Sequence, residues 1–191
     1  MNDNDSLIDE ILDLEFEMFA NVNPGHPVSC QQNPEAFRLH RGSQFSVCSE
    51  DTLLSYRDDL IQAGEAGENL MMLKYARMQG IIAPINESLI IDEIADLQLE
   101  SQKEAQAKYP HYIGRGRPLI DDSGATSFLT YLRGELETYS ENTLQLLRRD
   151  LAQYKDSGRN WAEEIHESVV RKLGYDSIEQ VEEAMAEKQE Y

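Results

Sequence analysis

Nowhere in the 191 residues does an alternating apolar–polar run persist long enough to make a half-buried strand, and β-branched residues are sparse. What recurs is the three-to-four-residue spacing of a helix face. Leu53, Tyr56, Leu60 and Ala63 form one such stripe, Ile90, Ile94 and Leu97 another, and Leu144, Leu147, Leu151 and Tyr154 a third. Turn chemistry separates the stripes: Asn23-Pro24-Gly25-His26-Pro27, Gly64 and Gly67, Ala83-Pro84, Tyr109-Pro110, Ser157-Gly158 and Gly174. A chain built this way buries helix stripes against one another. The expectation is an all-α fold, a single compact domain over 1–191 with about eight helices.

Cap residues locate the helices. Asn33-Pro34 joins a capping side chain to a proline at the first helical position, and Ser49, Asn86, Thr126 or Ser127, Ser140 and Asn160 precede apolar stripes in the same way. The predicted helices cover 6–21, a segment from 34 that carries Phe37 to Phe45, then 49–63, 68–80, 86–109, 126–138, 140–155 and 160–173. A mostly acidic last helix, within 176–191, is expected either to fray or to dock on a partner. Residues 110–125 are a Gly/Pro-rich loop.

Charge removes whole classes of function. With 36 acidic and 17 basic residues the net charge is −19. A general attraction for nucleic acid, which rests on a Lys/Arg surface, is therefore not expected, and neither is adhesion to an anionic membrane. No apolar run approaches the ~20 residues of a membrane span. Residues 1–37 hold no Lys or Arg, so no charged leader is expected. Two cysteines, Cys30 and Cys48, do not make a disulfide framework and read as free thiols. The expected location is the cytoplasm.

Against that acidic background, residues 105–120 hold three basic side chains and no acidic one. The segment Gly114-Arg115-Gly116-Arg117-Pro118 puts two guanidinium forks on backbone that an anion can approach closely, though it is neither a Walker loop nor a dinucleotide fingerprint. Arg133 follows on the next helix beside Tyr131 and Tyr139. Two readings stay open: the arginines bind a small anion, or they tie the loop to acidic helices, with Arg133 paired to Glu137 one turn on. Lys74 and Arg77 share a helix face, and Arg41 lies on a face with Phe37 and Gln44. Glu15 interrupts the apolar stripe of the first helix. It lies at the stripe edge, pairs with a buried arginine (Arg41 is a reasonable partner), or serves as an acid/base group.

His111, beside the arginine loop, is the best general acid/base candidate because imidazole titrates near neutral pH. Glu163-x-x-His166 has the spacing of one di-iron ligand pair, but the second pair is missing and no metal is expected. Cys30, just ahead of a helix start and with His26 and His40 nearby in sequence, is the weaker nucleophile candidate.

Many short polar words resemble, in order, a bacterial family that carries only a domain-of-unknown-function label. They include Ser55-Tyr56-Arg57-Asp58-Asp59-Leu60, Lys74-Tyr75-Ala76-Arg77-Met78, Gly116-Arg117-Pro118, Tyr131-Leu132-Arg133-Gly134-Glu135-Leu136-Glu137-Thr138-Tyr139-Ser140 and Gly174-Tyr175-Asp176-Ser177. The resemblance spans nearly the whole chain. It implies an all-helical protein, some of whose relatives are joined to a nucleotidyltransferase-like domain. It carries no catalytic residues across, and the family pattern has no histidine at the His166 position.

The leading expectation is a domain that binds, or also processes, a small phosphate- or carboxylate-bearing ligand. Arg115, Arg117 and Arg133 lead, Lys74, Arg77 and Arg41 assist, and His111 and Glu15 are the acid/base candidates. The cofactor, if any, is not identifiable. The alternative is a non-enzymatic accessory domain docking a protein partner such as a nucleotidyltransferase-like protein. Polar groups converging in a cavity favour the first, and an exposed apolar patch the second.

Overall fold

Every regular element in the computed structural model, which describes residues 3–22, 33–121 and 126–188, is helical. Nine α-helices follow in order: α1 Asp3–Ala20, α2 Pro34–Phe45, α3 Glu50–Glu65, α4 Leu70–Met78, α5 Leu89–Lys108, α6 Phe128–Leu136, α7 Glu141–Asp156, α8 Trp161–Lys172 and α9 Ile178–Glu187. Among the described residues a 3-10 turn, Ile113–Arg115, stands between α5 and α6. The all-α expectation holds, and among the described residues no helix is long and apolar enough to cross a membrane.

Capping explains where most of these helices begin. Asn33, Ser49, Asn69, Ser127, Ser140, Asn160 and Ser177 each accept an amide N–H of the first turn, an interaction that contributes roughly 1 kcal/mol per helix. One start differs from expectation. Asn86 does not cap α5, because its Oδ1 accepts the Ser88 amide at 2.9 Å and closes an Asx turn. Ser88 then caps the helix through Ile90.

The predicted stripes are the core. Leu53, Leu60, Ile94 and Leu144 are each 1% exposed or less, and Leu136, outside the predicted stripes, joins them at 1%. α1 packs on α2, α3 and α4, while α5 packs on α6, α7 and α8. A smaller cluster joins Ala105, Tyr109, Ile113, Ala162 and Val170 to Ile178 and Val181 of α9. The start of the basic loop is anchored there: Glu182 of α9 accepts the amides of His111 (2.8 Å) and Tyr112 (2.7 Å).

One close approach positions the site. A Cβ on Gly134 would lie 2.7 Å from Met78 Cγ and 3.3 Å from the Lys74 carbonyl oxygen. Only glycine lets α6 lie this close to α4, and that proximity brings Glu135 within reach of Lys74.

Candidate functional site

Glu15 sits on the apolar stripe of α1 with its side chain wholly buried. A carboxylate there needs partners. Arg41 of α2 supplies a fork, Nε to Oε2 at 2.9 Å and Nη2 to Oε1, and the Tyr56 hydroxyl of α3 donates to Oε1 at 2.6 Å. The remaining guanidinium nitrogen donates to Glu135 of α6 (3.0 and 3.2 Å) and to the Gln44 side-chain oxygen. Lys74 of α4 donates to Glu135 Oε2, and the Tyr139 hydroxyl donates to Oε1 at 2.6 Å. Two carboxylates thus meet two cations, with no net charge, at a point where α1, α2, α3, α4 and α6 converge.

Burial alone would lift the Glu135 carboxyl, but Arg41 and Lys74 outweigh it and hold the group well below the usual carboxylate range. Burial also opposes the Arg41 charge, which Glu135 and Glu15 more than restore. Burial, reinforced by the neighbouring carboxylates, drives the Tyr56 and Tyr139 hydroxyls far above the usual phenol value. Glu135 therefore stays ionised and both phenols stay protonated around neutral pH. The cluster is a fixed scaffold of charge and not a proton relay.

This network forms part of the wall of a cavity of about 720 Å³, within the ~300–1,000 Å³ range of small-molecule sites. Most of the wall is apolar and aromatic: Phe37, Phe45, Tyr75, Phe128, Tyr131 and Trp161 all border it. Tyr131 links the buried charges to the basic loop, since Lys74 Nζ lies 3.8 Å and the Arg117 guanidinium carbon 4.6 Å from its ring centre. Arg117 also donates to the Thr126 carbonyl at 3.4 Å. Arg115 borders the same cavity and makes no ion pair among the described residues. Gln98 and Gln102 of α5 and His166 of α8 line another part of the wall.

The predicted residues divide accordingly. Arg41, Lys74, Arg115 and Arg117 come together on the cavity. Arg133 does not border it: it pairs with Asp92 of α5 at 2.5 Å, not with Glu137. Arg77 takes Glu137 instead, at 2.7 Å, and also lies off the cavity. Glu15 is behind the wall, engaged by Arg41 and Tyr56, so the arginine-paired alternative is the observed one. His111 lies outside the lining, its backbone tied to α9. Glu163 is engaged by Lys108 at 2.7 Å, and the His166 ring meets Tyr112 edge-on at 5.5 Å. Cys30 and His26 lie outside the described residues. Cys48 does border the cavity, but burial and then Asp150 push its thiol far up, which keeps it protonated around neutral pH.

Glu135, Tyr56, Tyr139, Gln98 and Gln102 were not anticipated as site residues. The only signals available were the four-residue spacing of the two glutamines and of Glu135 with Tyr139. Gln98 and Gln102 lie four residues apart on one face of α5, and both border the cavity.

His166 carries a pH prediction. Burial first, and then His40, lowers its imidazole to about 4. The unfolded chain takes up a proton near pH 6.5 and the folded chain only near 4, so the histidine's contribution is fully present above pH 6.5 and is lost as pH falls to about 4. Unfolding free energy measured across that window is expected to fall by up to roughly 3 kcal/mol more in the native chain than in His166→Gln. Parallel curves would show that His166 titrates as in water.

The family model described as Protein of unknown function (DUF4125) matches residues 5–183. No curated protein and no solved structure matches the chain.

Proposed function

The chain belongs to the family Protein of unknown function (DUF4125), and from that premise we propose that it is a binding domain for a small molecule bearing a carboxylate or phosphate. One observation carries the reading: cations of two kinds border the 720 Å³ cavity. Arg41 and Lys74 are already neutralised by Glu15 and Glu135. Arg115 and Arg117, on the Gly-rich loop, have no carboxylate partner among the described residues. The acidic group goes to these two forks, and the ligand's body lies along the aromatic wall. Glu135, Tyr56 and Tyr139, each held in one protonation state around neutral pH, serve in this reading as a fixed part of the wall.

The test is a thermal-shift screen against phosphate, nucleotides, amino acids and carboxylates. A ligand at 100 times its Kd raises stability by ~2.7 kcal/mol. Replacing Arg115 and Arg117 by alanine is expected to weaken a hit by roughly tenfold or more for each charge-assisted hydrogen bond removed. A second reading, docking of a protein partner, draws on Ile81, just after α4, and Leu89, the first residue of α5, which are 70% and 77% exposed. A screen in which no anion shifts the melting point favours that reading over the first.

A further inference from the structure

The polar lining of the cavity falls into two parts. Around Glu135 every donor and acceptor named above has a partner. Along α5 and α8 the situation is reversed. Gln98, Gln102 and His166 border the cavity, and none of their side chains makes a hydrogen bond with a described residue, the His166 ring meeting Tyr112 edge-on instead. The two glutamines sit four residues apart on α5, so their side chains are neighbours on one face. The 3-10 turn that ends in Arg115 packs on the same helix. Two open amides, an imidazole and an open guanidinium therefore border one continuous space whose remaining wall is mostly apolar and aromatic.

Resting on the anion reading above, we infer that the body of the ligand is a planar nitrogen heterocycle, read at its edge by Gln98 and Gln102 while its acidic group meets Arg115 and Arg117. A primary amide presents a donor and an acceptor in one plane. That pair matches a ring nitrogen beside an N–H, as glutamine does with adenine. The aromatic wall stacks on a flat ring and gives little preference for a flexible chain. His166 is uncharged at neutral pH, so it adds one donor and one acceptor and no charge. The buried network has no net charge to offer the ring. A neutral ring with a separate acidic group fits this distribution, and an aliphatic dicarboxylate does not.

The experiment compares probes that differ in the ring. Dissociation constants are measured by calorimetry for nicotinate against benzoate, and for adenosine 5′-monophosphate against ribose 5-phosphate. The nitrogen-bearing member of each pair is expected to bind about tenfold tighter or more. In Gln98→Met/Gln102→Met, which keeps side-chain length, the nicotinate-to-benzoate ratio is expected to fall to about one and the adenosine 5′-monophosphate-to-ribose 5-phosphate ratio to fall about tenfold, keeping the part that ring stacking supplies, while benzoate and ribose 5-phosphate bind as before. Equal affinities of nicotinate and benzoate in the native protein, or ratios left unchanged by the double substitution, would overturn the heterocycle and leave the anion site standing. Loss of all four probes would instead remove the anion reading, and this inference with it.

Discussion

Arg41→Ala is expected to remove roughly 3–5 kcal/mol of stability, because it leaves the buried carboxylates of Glu15 and Glu135 without their shared cation. For a chain of this length that lowers Tm by roughly 10 °C. The position decides the size of the effect. Arg38, three residues earlier, also bridges two acids, Asp9 and Asp13, but its side chain is 40% exposed. Such surface pairs contribute about 0–1 kcal/mol, so Arg38→Ala is the matched control. Arg41→Lys keeps the charge but not the fork, and its loss is expected to lie between the two. Urea unfolding of the three variants checks the order. A loss below about 1 kcal/mol for Arg41→Ala would mean that water enters the network and that the convergence of five helices does not depend on it.

The second large effect lies at the opposite joint. Asp150 of α7 is 3% exposed. Its Oδ2 accepts the Ser49 amide (2.9 Å), the Ser49 hydroxyl (2.8 Å) and the Thr52 hydroxyl (2.6 Å). The carboxylate thus sits on the N-terminus of α3, where the helix dipole also favours negative charge. Asp150→Ala strands three donors, each costing about 1–3 kcal/mol when buried. Some of that is offset, because Oδ1 has no hydrogen-bond partner among the described residues. A net loss of roughly 3 kcal/mol is expected by denaturant unfolding, against about 1 kcal/mol for Asp150→Asn, which keeps the acceptor. Equal losses for the two would point to charge, and not to the three hydrogen bonds, as the source.

The fold was legible because its determinants are local. Ser49, Ser140 and Asn160 announce their helices a residue ahead, and the spacing of Leu144, Leu147 and Leu151 selects the face that is buried. Asn86 misled because an Asx side chain can cap a helix or close a turn, and Ser88 two residues on decided which. At the site, Glu15 declared itself by breaking an apolar stripe, and charge on a buried face narrowed its partner to an inward arginine. Glu135 gave no such sign. It stands among the polar words of α6, and its partner Lys74 lies 61 residues away. Arg133 shows the same limit in reverse: a nearby acid, Glu137, satisfied the local spacing rule, yet the partner is Asp92, 41 residues distant. Helix spacing identifies neighbours on one helix, whereas charge pairing across helices follows from packing that no single stripe records.

The chain's single tryptophan gives the most direct test of the central claim. Trp161 borders the cavity and is 6% exposed. Its emission is read while the protein is titrated with phosphate, benzoate, nicotinate and adenosine 5′-monophosphate. The account predicts a saturable change with at least one of these anions, and a Kd raised roughly tenfold or more in Arg115→Ala/Arg117→Ala. No saturable change with any of them, or an unchanged Kd in the double variant, would contradict it.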